Sequence, residues 1–109
     1  MWFIRPQYRK GSCCYELYKG KWNKRTYWKD DSICINDDDM YDSEFDKIII
    51  KFVPDYDPFG ETKITKEQRE QIKTEAKSVG GKSAEIVNEA EMWMLDNFSK
   101  YHIFTILGI

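Results

Sequence analysis

Six carboxylates fall within ten residues in the middle of the chain, the densest group of side chains that could do chemistry. They are Asp37, Asp38, Asp39, Asp42, Glu44 and Asp46. Such oxygens could bind Ca²⁺, but the EF-hand loop requires ligands at regular alternate positions and a central glycine, which this run lacks. The run is therefore predicted to be an acidic loop, either simply solvated or forming a surface that attracts a basic partner protein.

The first 29 residues carry the opposite charge, with eight basic residues and one acidic residue. Residues 30–62 hold two basic and eleven acidic residues, and residues 63–109 hold seven of each. The basic residues are interleaved with aromatic rings. Proteins that bind single-stranded nucleic acid use this combination, because the cations bind phosphates and the rings stack on bases. The residues are Arg5, Arg9, Lys10, Lys19, Lys21, Lys24, Arg25 and Lys29, with Tyr8, Tyr15, Tyr18, Trp22, Tyr27 and Trp28. An isoelectric point near 5.4 disfavours nucleic acid, which is kept as the alternative partner.

Other reactive side chains are few. His102 is the single histidine, and the three cysteines Cys13, Cys14 and Cys34 lack the spacing of a zinc site or a disulfide framework, so reduced thiols are predicted. No phosphate-binding glycine loop or nucleophile elbow is present. The sequence predicts no catalytic residue, no metal and no cofactor. A small enzyme or ligand-binding domain with a pocket near residues 54–60 is the third possibility.

The elements that position these side chains begin with β-structure. Aromatic and β-branched residues between turn residues predict strands over residues 2–9, 13–19 and 22–29, with Gly20 at a hairpin tip and a turn at residues 30–32. These strands would carry the basic residues and their rings.

The middle of the chain is predicted to supply the centre of the sheet. Residues 33–35 form a short strand, and residues 45–53, with three consecutive isoleucines, are predicted to be the central strand. Prolines and a glycine break the chain over residues 54–60. The apolar residues 102–109 are predicted to pair as a strand beside residues 45–53.

Two helices are predicted in the neutral last part of the chain. Thr65 and Gln68 match a capping box, and the first helix ends at the pair Gly80 and Gly81. Its apolar stripe contains Ile72, Ala76 and Val79. A second helix over residues 83–100 has apolar residues at spacings of three and four and is predicted to be the main helix against the sheet.

Together these elements predict one α+β domain over residues 1–109. It has an antiparallel-rich sheet of about five or six strands, formed by N-terminal strands and a C-terminal strand, with two helices on one face. No membrane span and no signal peptide are recognised, so a cytoplasmic location is expected. The predicted function is a small non-catalytic protein-binding protein. It would be an inhibitor or bacterial immunity-type protein whose six acidic residues mask a basic partner such as a toxin.

Overall fold

One antiparallel sheet organises the protein in the computed structural model, which describes residues 1–9 and 13–108. The five strands found there are β1 (Phe3–Ile4), β2 (Cys14–Lys19), β3 (Ile33–Asn36), β4 (Glu61–Thr65) and β5 (Ile103–Leu107). Their order across the sheet is β1–β3–β2–β5–β4, and each neighbouring pair is antiparallel. The predicted α+β class and antiparallel-rich sheet are confirmed. Lys10, one of the predicted basic residues, lies outside the described residues.

Four α-helices accompany the sheet in the described part of the chain. They are α1 (Asp37–Asp42), α2 (Phe45–Phe52), α3 (Lys66–Val79) and α4 (Gly81–Lys100). The capping box at the start of α3 is confirmed, because the backbone N of Gln68 donates to Thr65 Oγ1 at 3.1 Å and the backbone N of Thr65 donates to Gln68 Oε1 at 2.9 Å. Gly80 (φ 77°) lies between α3 and α4, and Gly81 (φ 57°) is the first residue of α4; both have the positive φ that glycine adopts without strain.

The main core lies between the sheet and the helices α2, α3 and α4. Leu17 is paired with Ile106 and Ile64 with Phe104, so these side chains share one face of the sheet. The residues that line this core are Phe3, Leu17, Ile35, Ile64, Phe104 and Ile106 from the sheet and Ile49, Ile72, Ile86, Ala90 and Met94 from the helices. The predicted packing of helices on one sheet face is confirmed, with α2 as a third helix beside the two that were predicted.

The predicted central strand over residues 45–53 is wrong, because this segment is helix α2. Its buried residues follow a helical period: Ile48 and Ile49 face the core, while Ile50 is 48% exposed. A short run of β-branched residues does not by itself distinguish a buried strand from one stripe of a helix. Packing against α3 and the sheet therefore overrides the strand propensity of the isoleucines.

The C-terminal segment is a strand, as predicted, but its neighbours differ from the prediction. β5 lies between β2 and β4 instead of beside residues 45–53. The strand β4, which the sequence did not predict, occupies the position at the edge. Its residues are mostly polar, and it buries only Thr62 and Ile64 while Lys63 is exposed, so its hydrophobic signal is weak.

Two predictions in the basic N-terminal segment are also wrong. Residues 2–9 form the two-residue strand β1 followed by a 3₁₀ turn at Pro6–Tyr8. Residues 22–29 form no strand. Since β3 and β5 already pair with the two edges of β2, no edge of β2 is free for a following hairpin strand.

A buried arginine joins α3 to α4. Arg69, which is 7% exposed, forms ion pairs with Glu91 and with Glu70, the latter at 2.7 Å. Lys73 adds a second ion pair to Glu91 at 2.9 Å. Burial raises the pKa of Glu91, but the charges and hydrogen bonds of Lys73 and Arg69 outweigh burial, so the pKa is lowered overall.

This lowered pKa predicts that the stability contributed by Glu91 is lost in acid. The contribution should be complete above the pKa of the unfolded carboxyl, about 4.3, and should disappear as the pH falls through the lower folded pKa. Glu91→Gln is expected to reduce the free energy of unfolding by about 1 kcal/mol at pH 7 and by almost nothing near pH 2. Urea unfolding across this range measures the difference. The exposed Glu85→Gln, on the same helix, is the control, and a loss that is equal at both pH values would contradict the prediction.

Candidate functional site

The six acidic residues predicted to form a loop lie instead on two short consecutive helices. Four of them belong to α1 and one to the first turn of α2, with Glu44 between the helices in a left-handed conformation (φ 60°). The first turn of α1 is Asp37, Asp38 and Asp39, and the Oδ1 of Asp37 accepts a hydrogen bond from the backbone N of Asp38 at 2.8 Å. The loop prediction is wrong because carboxylates at a helix N-terminus are stabilised by the helix dipole.

The six carboxylates differ in how available they are to a partner. Glu44 is paired with Lys47 at 3.5 Å, and one oxygen of Asp46 is buried. Asp38 and Asp42 are exposed and have no ion pair within residues 1–9 and 13–108. The surface that these helices present therefore remains negatively charged, and it is called the acidic surface below.

A fixed tyrosine lies within the acidic surface. Tyr41 of α1 is 45% exposed, and its hydroxyl is 2.5 Å from the hydroxyl of the fully buried Tyr15 on β2. The two rings meet edge to face, with centroids 6.2 Å apart. This geometry leaves part of the Tyr41 ring accessible, while the Tyr41 hydroxyl is held by its hydrogen bond to Tyr15 in the sheet.

The hydroxyls beneath Tyr41 are uncharged near neutral pH. Burial raises the pKa of Tyr15, and burial followed by the neighbouring Tyr41 raises the pKa of Tyr56 to about 12. The nearby Asp46 also acts to raise the pKa of Tyr56. Tyr41 was not among the residues selected from the sequence; its signal was its position between Asp39 and Asp42 in the run of carboxylates.

Residues 21–29 of the basic segment lie on the second face of the sheet instead of forming a strand. Residues 21–29 are called the basic loop. Of the six rings that were predicted to form a stacking platform, Tyr15 and Tyr18 are buried and Trp22 and Trp28 are half-buried. The two exposed rings are Tyr8 and Tyr27. Lys21, Lys24 and Arg25 are exposed.

A buried carboxylate holds the basic loop against the sheet. Glu16 of β2, only 1% exposed, accepts hydrogen bonds from the backbone N of Trp28 at 2.8 Å, the backbone N of Lys29 at 3.0 Å and Ser32 Oγ at 2.6 Å. The guanidinium of Arg9 lies over the Trp28 ring at 4.2 Å. Sequence analysis did not select Glu16, although it is the single acidic residue among the first 29.

The cysteines are free thiols, as predicted, and two of them are buried. Burial raises the pKa of Cys34 to about 12, and burial also raises the pKa of Cys14, whose Sγ donates to Asn36 Oδ1 at 3.0 Å. Cys13 and His102 are exposed. Within the described ranges, no group of three or more His, Cys, Asp or Glu side chains has the arrangement of a metal site.

Comparisons with protein-family models, with curated proteins and with solved structures find no match to this chain. Among the described residues, no helix has both the length and the apolar character needed to cross a membrane. The function is therefore inferred from the acidic surface and the basic loop themselves.

Proposed function

We propose that the protein is a non-catalytic binding protein that masks or regulates a basic partner protein through its acidic surface. An inhibitor or immunity-type protein of a bacterial toxin is the form that this proposal takes. The observation that carries it is that Asp38 and Asp42, which precede and follow the fixed Tyr41 in α1, are exposed and form no ion pair within the described residues. The predicted cytoplasmic location belongs to the same proposal.

The charge of the acidic surface supports a basic partner. Unpaired exposed carboxylates attract a positively charged protein during diffusion and orient it before contact. Their effect falls at high salt, because exposed charges are screened beyond about 8–10 Å at physiological ionic strength. The acidic surface would therefore act mainly on the association rate.

Tyr41 supports the proposal because its exposed ring lies within the acidic surface and could contact a partner directly. Tyrosine is enriched among the residues that dominate binding energy at protein interfaces, since one ring gives apolar contact and a hydroxyl. The hydrogen bond to Tyr15 already restricts Tyr41 in the free protein, which reduces the entropy lost when a partner binds.

The position of Asp42 distinguishes binding from a purely structural role. Carboxylates in the first turn of α1 stabilise the helix, so Asp37, Asp38 and Asp39 have a local reason to be there. Asp42 is the last residue of α1, where the helix dipole disfavours negative charge. A residue that is unfavourable for its own helix is consistent with a role in binding, where stability is exchanged for function.

The partner for the test is the product of the neighbouring gene, which the proposal expects to be a toxin encoded immediately upstream. The quadruple variant Asp37→Asn, Asp38→Asn, Asp39→Asn and Asp42→Asn should bind about tenfold more slowly at low salt and should lose most of its salt dependence. Stopped-flow association at several salt concentrations measures both effects. Asp42→Asn alone should slow association and leave the free energy of unfolding unchanged or higher by a few tenths of a kcal/mol.

The matched control removes the same kind of charge elsewhere. Glu67 and Glu85 are exposed on α3 and α4, so Glu67→Gln with Glu85→Gln should leave association unchanged. If the quadruple variant associates at the wild-type rate, or if the control slows association equally, the acidic surface is not the binding surface.

A further inference from the structure

We infer that the basic loop, residues 21–29, binds single-stranded nucleic acid. In this arrangement Lys21, Lys24 and Arg25 contact phosphates and the ring of Tyr27 stacks on a base. This activity is separate from the proposed binding of a basic protein at the acidic surface. It rests on the shape of the loop, on its exposed cations and on its exposed ring.

The loop is ordered before any ligand binds. The Oδ1 of Asn23 accepts hydrogen bonds from the backbone N of Arg25 and of Thr26, each at 2.9 Å, and Trp22 Nε1 donates to the Thr26 carbonyl at 2.8 Å. Together with the Glu16 contacts at the other end, these bonds hold the loop in one conformation. A binding loop that is already ordered loses less conformational entropy when it binds.

Two non-glycine residues of the loop adopt left-handed backbone conformations. Lys24 has φ 66° and Trp28 has φ 57°. Such conformations cost free energy for side-chain-bearing residues and persist where the surrounding contacts enforce them, as at many binding sites. The left-handed turn at Lys24 lies at the exposed tip, where it presents Lys24 and Arg25 to solvent.

Three cations lie at the tip of the loop. Lys21, Lys24 and Arg25 are exposed and form no ion pair within the part of the chain that the structure describes. Lys29 differs, because it lies 3.8 Å from a carboxylate oxygen of Asp31 and over the ring of Tyr18. Residues 21–29 contain no acidic residue, so the tip is uniformly positive.

The ring of Tyr27 favours nucleic acid over an acidic protein as the ligand. Tyr27 is 55% exposed and packs on Trp22 with ring centroids 5.1 Å apart, so it is supported from one side and open on the rest. A supported ring among cations is the arrangement that stacks a base and holds the flanking phosphates. An acidic chain bound through charge alone would use the cations and not the ring.

The acidic surface lies at the opposite end of β2 from the start of the loop. The loop follows Lys19, whereas α1 begins after Asn36, which pairs with Cys14 at the beginning of β2. The six residues of β2 span about 17 Å, whereas the screening length is about 10 Å at 0.1 M salt. Repulsion of phosphates by the acidic surface is therefore weak near the start of the loop.

Fluorescence anisotropy with a labelled single-stranded oligonucleotide of about 12 nucleotides tests the inference. The triple variant Lys21→Gln, Lys24→Gln and Arg25→Gln should weaken binding about tenfold at 50 mM salt and reduce the slope of log affinity against log salt by about 2. Tyr27→Ala should weaken binding about fivefold or more, and Tyr27→Phe should bind like the wild type.

The control variant is Lys66→Gln, Lys77→Gln and Lys82→Gln, three exposed lysines of α3 and α4 that should not affect binding. The inference fails if the wild type does not bind at about 50 mM salt or if the control loses as much affinity as the triple variant. It also fails if Tyr27→Ala has no effect and polyglutamate competes as well as the oligonucleotide. In that last case the loop recognises acidic chains through charge alone.

Discussion

Replacing Glu16 with alanine is expected to lower the free energy of unfolding by about 3 kcal/mol, one of the two largest effects that we predict for a single substitution. The carboxylate is buried and accepts three hydrogen bonds, two of them from the backbone of the basic loop. Without it, those donors lose their partner, and the loop loses its attachment to the second face of the sheet. Urea unfolding at pH 7 measures the change in stability.

Glu16→Gln keeps the size and shape of the side chain but removes its charge, so it separates the two contributions to stability. The glutamine amide has one acceptor oxygen instead of two, so part of the hydrogen bonding should survive and the loss should be intermediate. Hydrogen exchange at the backbone N of Trp28 and Lys29 should become faster in both variants. The exposed Glu85→Ala is the control. If Glu16→Ala unfolds at the wild-type urea concentration, the buried carboxylate does not hold the loop.

Ile49→Ala is expected to destabilise the protein by about 3 kcal/mol, whereas Ile50→Ala should cost less than about 1 kcal/mol. Ile49 is 1% exposed in the core between α2 and the sheet, and its neighbour Ile50 is 48% exposed. The two substitutions remove the same atoms from adjacent residues, so each is the control for the other. Denaturant unfolding of both variants gives the difference in the free energy of unfolding.

The same pair of variants tests whether residues 45–52 are helical. In a strand covered on both faces, which the sequence predicted, the two isoleucines would both be buried and their losses would be similar. In α2 they point in directions about 100° apart, toward the core and toward solvent. Equal losses would therefore contradict the helix.

The signals that sequence analysis interpreted correctly are mostly local. The capping box at Thr65, the stop at Gly80 and the strand character of residues 13–19 depend on a few adjacent residues and are present in the structure. Local hydrogen bonds and backbone preferences act in the same way before and after the chain is packed. The start and end of α3 could therefore be read directly from the sequence.

The errors arose where the outcome depends on distant residues. The isoleucines of α2 could have formed a strand, and the basic residues 22–29 could have formed a hairpin with β2. The edges of β2 are instead occupied by β3 and by β5, a strand more than 80 residues away in the sequence. The packing of the whole chain decides which segment pairs with each edge of a strand, and no short stretch of sequence contains that information.

The sequence by itself determined that the protein carries a basic, ring-rich first segment, a strongly acidic middle and a neutral helical end, because charge depends on composition alone. Only the tertiary structure decided which helices, strands and loops carry those charged residues. The acidic run forms α1, which carries Tyr41, and the first turn of α2, while residues 21–29 of the basic segment form a loop attached to Glu16. Both results require contacts between segments that are far apart in the chain, where burial selects which side chains remain exposed to meet a partner.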